Sequence, residues 1–144
     1  MTWTTQYNQA YKDRDLPTLA KMNADAFRDI TEKQALSFLA GTYAHKVDGA
    51  CLVAEEKGQL IGAIFGNRKI TYVSKTAEIP SLFISKRFQG KGIGKMLLKS
   101  CLSAMKKKGI QSVSLTVRSN DKRAQNLYAK AGFKPFRLML LRRF

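Results

Sequence analysis

Residues 77–98 read AEIPSLFISKRFQGKGIGKMLL, and the stretch divides into an apolar strand, a glycine-rich turn and the start of a helix. Ala77 to Ser85 has the length and apolar content of a strand. From about Gly92 to Lys107 the period changes. Ile93, Met96, Leu97, Cys101, Ala104 and Met105 fall on one side of a helix, with Lys95, Lys99 and Lys106 opposite. Between them lies Gln89-Gly-Lys-Gly-Ile-Gly-Lys95. Glycines let the backbone approach a ligand closely, and the first N–H groups of a helix, with its dipole, attract an anion. Lys91 and Lys95 add mobile positive charge. The chemistry is that of a cradle for phosphate or pyrophosphate; a turn with no ligand is the competing interpretation.

The pattern on either side predicts a mixed α/β chain. Trp3 to Ala10 can form a strand. Asp15-Leu16-Pro17 opens a helix, with Asp15 as N-cap and Pro17 in the first turn, where its missing N–H does no harm. Leu19, Met22, Ala26 and Phe27 give that helix an apolar face. Thr31-Glu-Lys-Gln34 resembles a capping box and starts a helix running to about Ala40. Ala50 to Glu55 and Leu60 to Gly66 read as strands joined by a tight turn at Lys57-Gly58. Lys69 to Val73 would add another strand. After the long helix, Gly109 serves as its stop. Ser112 to Val117 reads as a strand, Asp121 to Ala131 as a helix closed by Gly132, and Pro135 to Leu141 as a last strand. Early hairpins and a later strand–helix–strand crossover imply a mixed sheet with helices on both faces.

The 144 residues fit one domain, taken as residues 1–144, with no repeat or linker to mark a boundary. No membrane-length apolar run and no signal peptide are visible. Cys51 and Cys101 form neither a CxxC pair nor a metal cluster. Two buried free thiols are expected, which suits a reducing cytoplasm. His45 is the only histidine, which argues against a catalytic triad or a multi-histidine metal site. Charge is uneven: residues 1–85 carry ten Lys/Arg and nine acids, whereas residues 86–144 carry sixteen Lys/Arg and only Asp121. That asymmetry signals an anionic partner for the second half, or a solvated lysine-rich surface.

Two familiar phosphate motifs fail on the turn. A Walker loop needs Ser or Thr after its lysine, and Lys95 precedes Met96. A dinucleotide fingerprint needs glycine at Lys95 or at Leu97, depending on its start. It also needs an acid about 20 residues on, which Gln111 to Thr116 does not supply. Residues 77–98 instead resemble the central motif of the GNAT superfamily of N-acetyltransferases, Gln/Arg-x-x-Gly-x-Gly/Ala, matched by Gln89, Gly92 and Gly94. Asn126-Leu-Tyr-Ala-Lys-Ala-Gly-Phe133 resembles the family's second motif, and Asp15-Leu-Pro-Thr-Leu19 the opening of its first helix.

The resemblance implies a mostly antiparallel central sheet of about six or seven strands, with helices on both faces and a splay between two parallel strands. It implies acetyl-CoA as co-substrate, no metal, and acetyl transfer to a primary amine by direct attack. Pantetheine would bond to the backbone of Leu82, Phe83 and Ile84, and pyrophosphate to the N–H groups of Gln89, Gly90, Lys91, Gly92, Ile93, Gly94 and Lys95. Tyr128 matches the tyrosine that protonates the leaving thiolate in the family; packing the helix against the sheet is its alternative role. Glu78, eleven residues before Gln89, matches a catalytic glutamate of some relatives and would act as base or water-organiser. Relatives place Asn where Asp121 stands; Asn120 lies one residue earlier, and either can face the cofactor or cap the helix.

The acceptor is expected to be the amine of a small molecule or a peptide, in the cytoplasm. The acids here are few, which weakens the case for a polycationic acceptor. Succinyl-CoA or an acyl carrier protein would satisfy the same motifs as donor. A different reading is a non-catalytic, CoA-regulated module that docks RNA, the ribosome or an acidic protein through the basic half. Aromatic stacking platforms for single strands are not evident there. Monomer and homodimer both fit the sequence, and Pro135 to Phe144 can pair or swap between subunits.

Overall fold

The computed structural model describes residues 4–7, 15–27, 29–43, 46–48, 50–69 and 75–144. In chain order they form β1 (Thr4–Tyr7), α1 (Leu16–Ala26), α2 (Glu32–Tyr43), β2 (Leu52–Glu56), β3 (Gln59–Arg68) and β4 (Thr76–Ile84). A single 3-10 turn (Lys86–Phe88), α3 (Ile93–Lys107), β5 (Ser112–Ser114) and α4 (Lys122–Lys130) follow. The strands make one sheet in the order β1-β2-β3-β4-β5, antiparallel throughout except for the parallel β4–β5 pair.

Local rules set most boundaries. Thr31 Oγ1 accepts the Gln34 N–H at 3.1 Å and Gln34 Oε1 accepts the Thr31 N–H at 2.9 Å, a complete capping box at the start of α2. The β2–β3 hairpin turns on Lys57 (φ 49°) and Gly58 (φ 77°), two left-handed residues whose twist matches that of the strands.

The sheet is covered on both faces, as the pattern predicts. Leu19 and Ala20 of α1 and Ala35 and Leu39 of α2 pack with Val53, Ala63, Phe65 and Phe83. On the other face Ile93, Leu97, Leu98, Cys101 and Met105 of α3 pack with Leu52, Ile61, Ile64, Ala77 and Ile79, and Leu127 and Tyr128 of α4 border that cluster. Both thiols are free and buried; desolvation pushes Cys51 up to about 11 and Cys101 up to about 12.

Three expectations change and one is not tested. The sheet has five strands among the described residues, not six or seven. Residues 70–73 of one expected strand, and His45, lie outside the described residues. Pro135 to Leu141 has a strand pattern yet joins no strand, because no sheet edge is paired with it. The buried side of α1 is rotated: Leu19, Ala20 and Asn23 face inward, whereas Ala26 and Phe27 are exposed. Asn23 is tolerated inside because its Nδ2 donates to Ser81 Oγ at 3.4 Å.

β4 is bulged. Phe65 pairs with Ser81 but Asn67 pairs with Glu78, so Gly66 alone faces Ile79 and Pro80. Ala77 and Ile79 therefore share the α3 face with Leu82 and Ile84, while Ser81 and Phe83 turn toward α1 and α2. A proline inside an interior strand is otherwise disfavoured; here its missing N–H coincides with the bulge.

Leu97→Ala, at a side chain with 0% exposure, costs about 2–5 kcal/mol of unfolding free energy. Leu36→Ala, on the open side of α2 at 38% exposure, costs less than about 1 kcal/mol. Urea denaturation of both variants reads the difference.

Candidate active site

The β4–β5 ladder holds only from Thr76–Ser112 to Glu78–Ser114. Beyond Glu78, β4 continues six residues to Ile84, bonded to β3 through Leu82–Ile64, Phe83–Ala63 and Ile84–Gly62. Its other edge has no strand beside it among the described residues. This is the expected splay: no described strand lies beside Leu82 to Ile84 on the β5 side, although Ile84 O is taken by Gln89 Nε2. Phe83 sends its ring the other way, stacked on Phe65 with centroids 6.4 Å apart.

The glycine loop begins where β4 ends. Ser85 N–H bonds to Ile61 O at 2.8 Å, the 3-10 turn follows, and Gln89 Nε2 donates back to Ile84 O at 3.0 Å. Gln89 is thus a brace between loop and strand, and its own N–H points at Lys86 O at 3.5 Å. Gly90 (φ 77°) and Gly92 (φ 82°) are left-handed, a conformation costly for any side chain. The first helical bond of α3 runs from Met96 N–H to Gly92 O at 3.1 Å. The N–H groups of Ile93, Gly94 and Lys95 therefore have no acceptor within the helix. No acid lies in that first turn, so the positive end of the dipole is uncompensated.

Gly94 tests what the loop is shaped for. Its backbone does not require glycine, and a Cβ there would meet only Leu127 Cδ2 at 3.8 Å and Ile84 Cγ1 at 3.9 Å. The protein would tolerate a side chain at this position, but that side chain would stand in the gap between the end of β4 and α4. Orphan donors beside an open gap fit a pyrophosphate with an extended arm. Lys91 Nζ rests 5.4 Å from the Phe88 ring centre, and Lys95 is exposed. Sequence reading missed Arg123: its Nη2 lies 3.2 Å from where a Cβ of Gly90 would be, which brings a third cation to the loop from α4. No local spacing connects the two positions.

Asp121 caps α4, its Oδ1 accepting the Ala124 N–H at 3.0 Å. Asn120 sits exposed in the preceding turn, which Gln125 Nε2 clamps by donating to Arg118 O and Ser119 O, each at 2.9 Å. Tyr128 is half-buried, edge-on to Phe133 with centroids 5.9 Å apart. Burial, and then the charge of Asp121, hold its phenol above the ordinary value. Glu78 is half-buried at the last paired position of the splay. It lies opposite Asn67 of β3, whose buried Oδ1 has no partner among the described residues. Directly paired residues share a face, so the carboxyl and an unsatisfied amide oxygen occur together.

On the α1–α2 side a cleft of about 400 Å³ opens beside the splay. Phe27, Ile30, Phe38 and Pro80 give it apolar walls, and Asn23, Ser81, Asp29 and Arg118 its polar groups. Asp29 and Arg118 form an ion pair on the exposed rim. Pro80 and Ser81 both line it because the bulge turns consecutive residues toward one face. The structure thus brings together Leu82 to Ile84, Gly90 to Lys95, Arg123 and the end of α4. It leaves Lys99 and Lys106 to Lys108 exposed along the outer side of α3, away from the loop.

Comparison with known proteins gives the same answer. A Bacillus subtilis (strain 168) protein provisionally named a [ribosomal protein bS18]-alanine N-acetyltransferase is 29% identical over 123 residues, 84% of this chain and 76% of its own length. An N-alpha-acetyltransferase of Sulfurisphaera tokodaii is 32% identical over 101 residues, 64% of this chain and 60% of its own. The crystal structure of a PaiA N-acetyltransferase from Thermoplasma acidophilum in complex with coenzyme A superposes with a TM-score of 0.71 at 23% identity, over 93% of this chain and 91% of that one. The pattern of the Acetyltransferase (GNAT) family matches residues 9–133, so the chain belongs to that family and is an acyltransferase.

Proposed function

We propose that the chain is an acetyl-CoA-dependent N-acetyltransferase whose acceptor is the N-terminal α-amine of a polypeptide. The observation that carries this reading is the splay: the glycine loop borders it on one side of the sheet and the cleft opens on the other. A donor held along Leu82 to Ile84 and an acceptor in the cleft would meet there. Gly90 to Lys95 and Arg123 would hold the pyrophosphate, and relatives bearing names of protein N-terminal acetyltransferases support the acceptor class.

Cleft chemistry points the same way. A polyamine or aminoglycoside needs several carboxylates, yet among the described residues that line the cleft the one carboxylate, Asp29, is already paired with Arg118. Apolar walls and a few polar groups suit the first residues of a peptide. An α-amine has a pKa of about 7.7–8.0, against about 10.4 for a lysine, so much of it is neutral near pH 7.5 without a strong base. Acetyl-CoA supplies the activated acetyl group as a thioester. Glu78, directly or through a water held with Asn67 Oδ1, would take the proton of the attacking amine. Tyr128, kept protonated by burial, would deliver a proton to the departing thiolate. The same reading takes residues 1–144 as one domain acting in the cytoplasm.

Thiol release from acetyl-CoA should depend on peptides with a free N-terminus and be much slower with N-blocked lysine peptides. Equal rates on both, or on polyamines alone, contradict the acceptor assignment. Tyr128→Phe should lower kcat on the order of 100-fold with acetyl-CoA affinity little changed; loss of affinity alone would remove its role as acid. Because burial raises the Tyr128 phenol, the parent kcat should rise as the amine deprotonates and fall only at a pH above the range in which an ordinary tyrosine ionises. Glu78→Gln should displace the acidic limb of kcat/KM, and an unchanged profile excludes Glu78 as base.

A further inference from the structure

We propose that Lys69, held on Ser114, keeps the acceptor amine uncharged at the fork of the splay and so acts as a positioning residue for the transfer. The inference rests on the transferase reading above and adds to it two residues that no motif singles out.

One rung of the sheet carries polar side chains from end to end. Lys46 bridges to Asn67 of β3, Asn67 pairs with Glu78 of β4, and Glu78 pairs with Ser114 of β5. Neighbours along each strand fix the face. Ala77 and Ile79 on either side of Glu78, and Val113 and Leu115 on either side of Ser114, pack with the α3 cluster. Phe65, two residues before Asn67, packs with α1 and α2. Successive residues of a strand point to opposite faces, so Asn67, Glu78 and Ser114 stand side by side on the α1–α2 face. The cleft lined by Asn23 and Ser81 opens on that same face.

The rung is short of donors. Asn67 is 7% exposed, and its Oδ1 has no partner among the described residues. A buried acceptor left without a donor is unfavourable, and an N–H of the acceptor amine, directly or through a water, would satisfy it. Asn67 Oδ1, the Glu78 carboxyl and Ser114 Oγ together offer an amine nitrogen a row of oxygens.

A carboxylate alone at such a station works against the chemistry. It holds the acceptor as ammonium, which has no lone pair with which to attack a thioester. Lys69 offsets it. Its N–H bonds to Thr76 O at 3.1 Å, and its side chain reaches across β4 so that Nζ donates to Ser114 Oγ at 3.3 Å, directly beside Glu78. The bond is to a neutral hydroxyl, and among the described residues the ammonium has no carboxylate at ion-pair distance. A positive charge fixed a few ångströms from the incoming amine disfavours a second one there, by on the order of one pH unit. Lys46, at the other end of the rung, is the second cation on it. The helices over this face turn no charge inward among the described residues: α1 buries Leu19, Ala20 and Asn23, and α2 buries Ala35, Leu39 and Thr42. Asp29 and Arg118 are paired with each other at the exposed rim. Lys69 stays outside the group transfer itself, in which the amine nitrogen bonds to the thioester carbon, Glu78 takes the amine proton and the thiolate departs.

The test is the pH dependence of kcat for the parent, Lys69→Met and Lys69→Arg, using the free-N-terminus peptide that the parent turns over fastest. An amine bound as ammonium must lose its proton before it attacks, so the acidic limb of kcat reports the bound amine. Lys69→Met should move that limb to higher pH by about one unit, a loss of about tenfold in kcat on the acidic side that is recovered at high pH. Lys69→Arg keeps the charge and should leave the limb nearly in place. A role in packing alone would lower kcat equally at every pH. Should Lys69→Met not fold, Ser114→Ala releases the ammonium from its place and should move the limb in the same direction by less. An unmoved limb in whichever of these variants folds, or an equal displacement by Lys69→Arg, overturns this inference and leaves the transferase reading standing. Absence of thiol release with every amine overturns the transferase reading and this inference with it.

Discussion

Parallel strands are joined by slanted hydrogen bonds that need continuous backbone donors on both sides. β4 and β5 keep this arrangement over three residue pairs, Thr76–Ser112 to Glu78–Ser114, and then part. Pro80, two residues past the last pair, has no N–H to give, and the bulge at Ile79–Pro80 has already shifted the strand's faces. The residues of the candidate site are arranged about that separation. It leaves Leu82 to Ile84 without a strand on the β5 side among the described residues, sets Glu78 at its fork, and opens a gap between the glycine loop and α4. A continuous β4–β5 ladder would bury these groups in ordinary sheet pairing and leave no path between the two faces.

The loop supplies electrostatics that the gap alone lacks. Left-handed Gly90 and Gly92 lead the chain into α3, whose first three N–H groups, at Ile93, Gly94 and Lys95, have no acceptor within the helix. Lys91, Lys95 and Arg123 surround them, and Asp121, the one acid of the second half, is committed to capping α4. Preorganised donors and cations held in this way bind an anion without further rearrangement. The remaining lysines of α3, Lys99, Lys106 and Lys107, lie exposed on its outer face.

Features governed by local chemistry were legible in the sequence. The capping box at Thr31–Gln34, the Lys57–Gly58 hairpin, the glycine stops and the strand–turn–helix of residues 77–107 depend on neighbours a few positions apart. The features that escaped are set by distant contacts. Arg123 reaches Gly90 across more than thirty residues. Asn23 turns inward because Ser81, on another element, accepts its hydrogen bond. Asp121 and Asn120 could each cap the helix by sequence, and the Ala124 N–H bond assigns the cap to Asp121. The bulge was signalled by Pro80 alone, whose consequence depends on which strands flank it. Pro135 to Leu141 has the composition of a strand, but composition does not supply a partner edge, and the segment lies outside the strands among the described residues.

In the proposed function the splay and the glycine loop together receive coenzyme A. Titration of coenzyme A into isotopically labelled protein, followed by backbone amide chemical shifts, tests it most directly. The account predicts saturable shifts concentrated at Gly90 to Lys95 and Leu82 to Ile84, with smaller ones around Arg123 and Leu127. Shifts confined to Lys99 and Lys106 to Lys108 on the outer face of α3, with the loop unmoved, would contradict it.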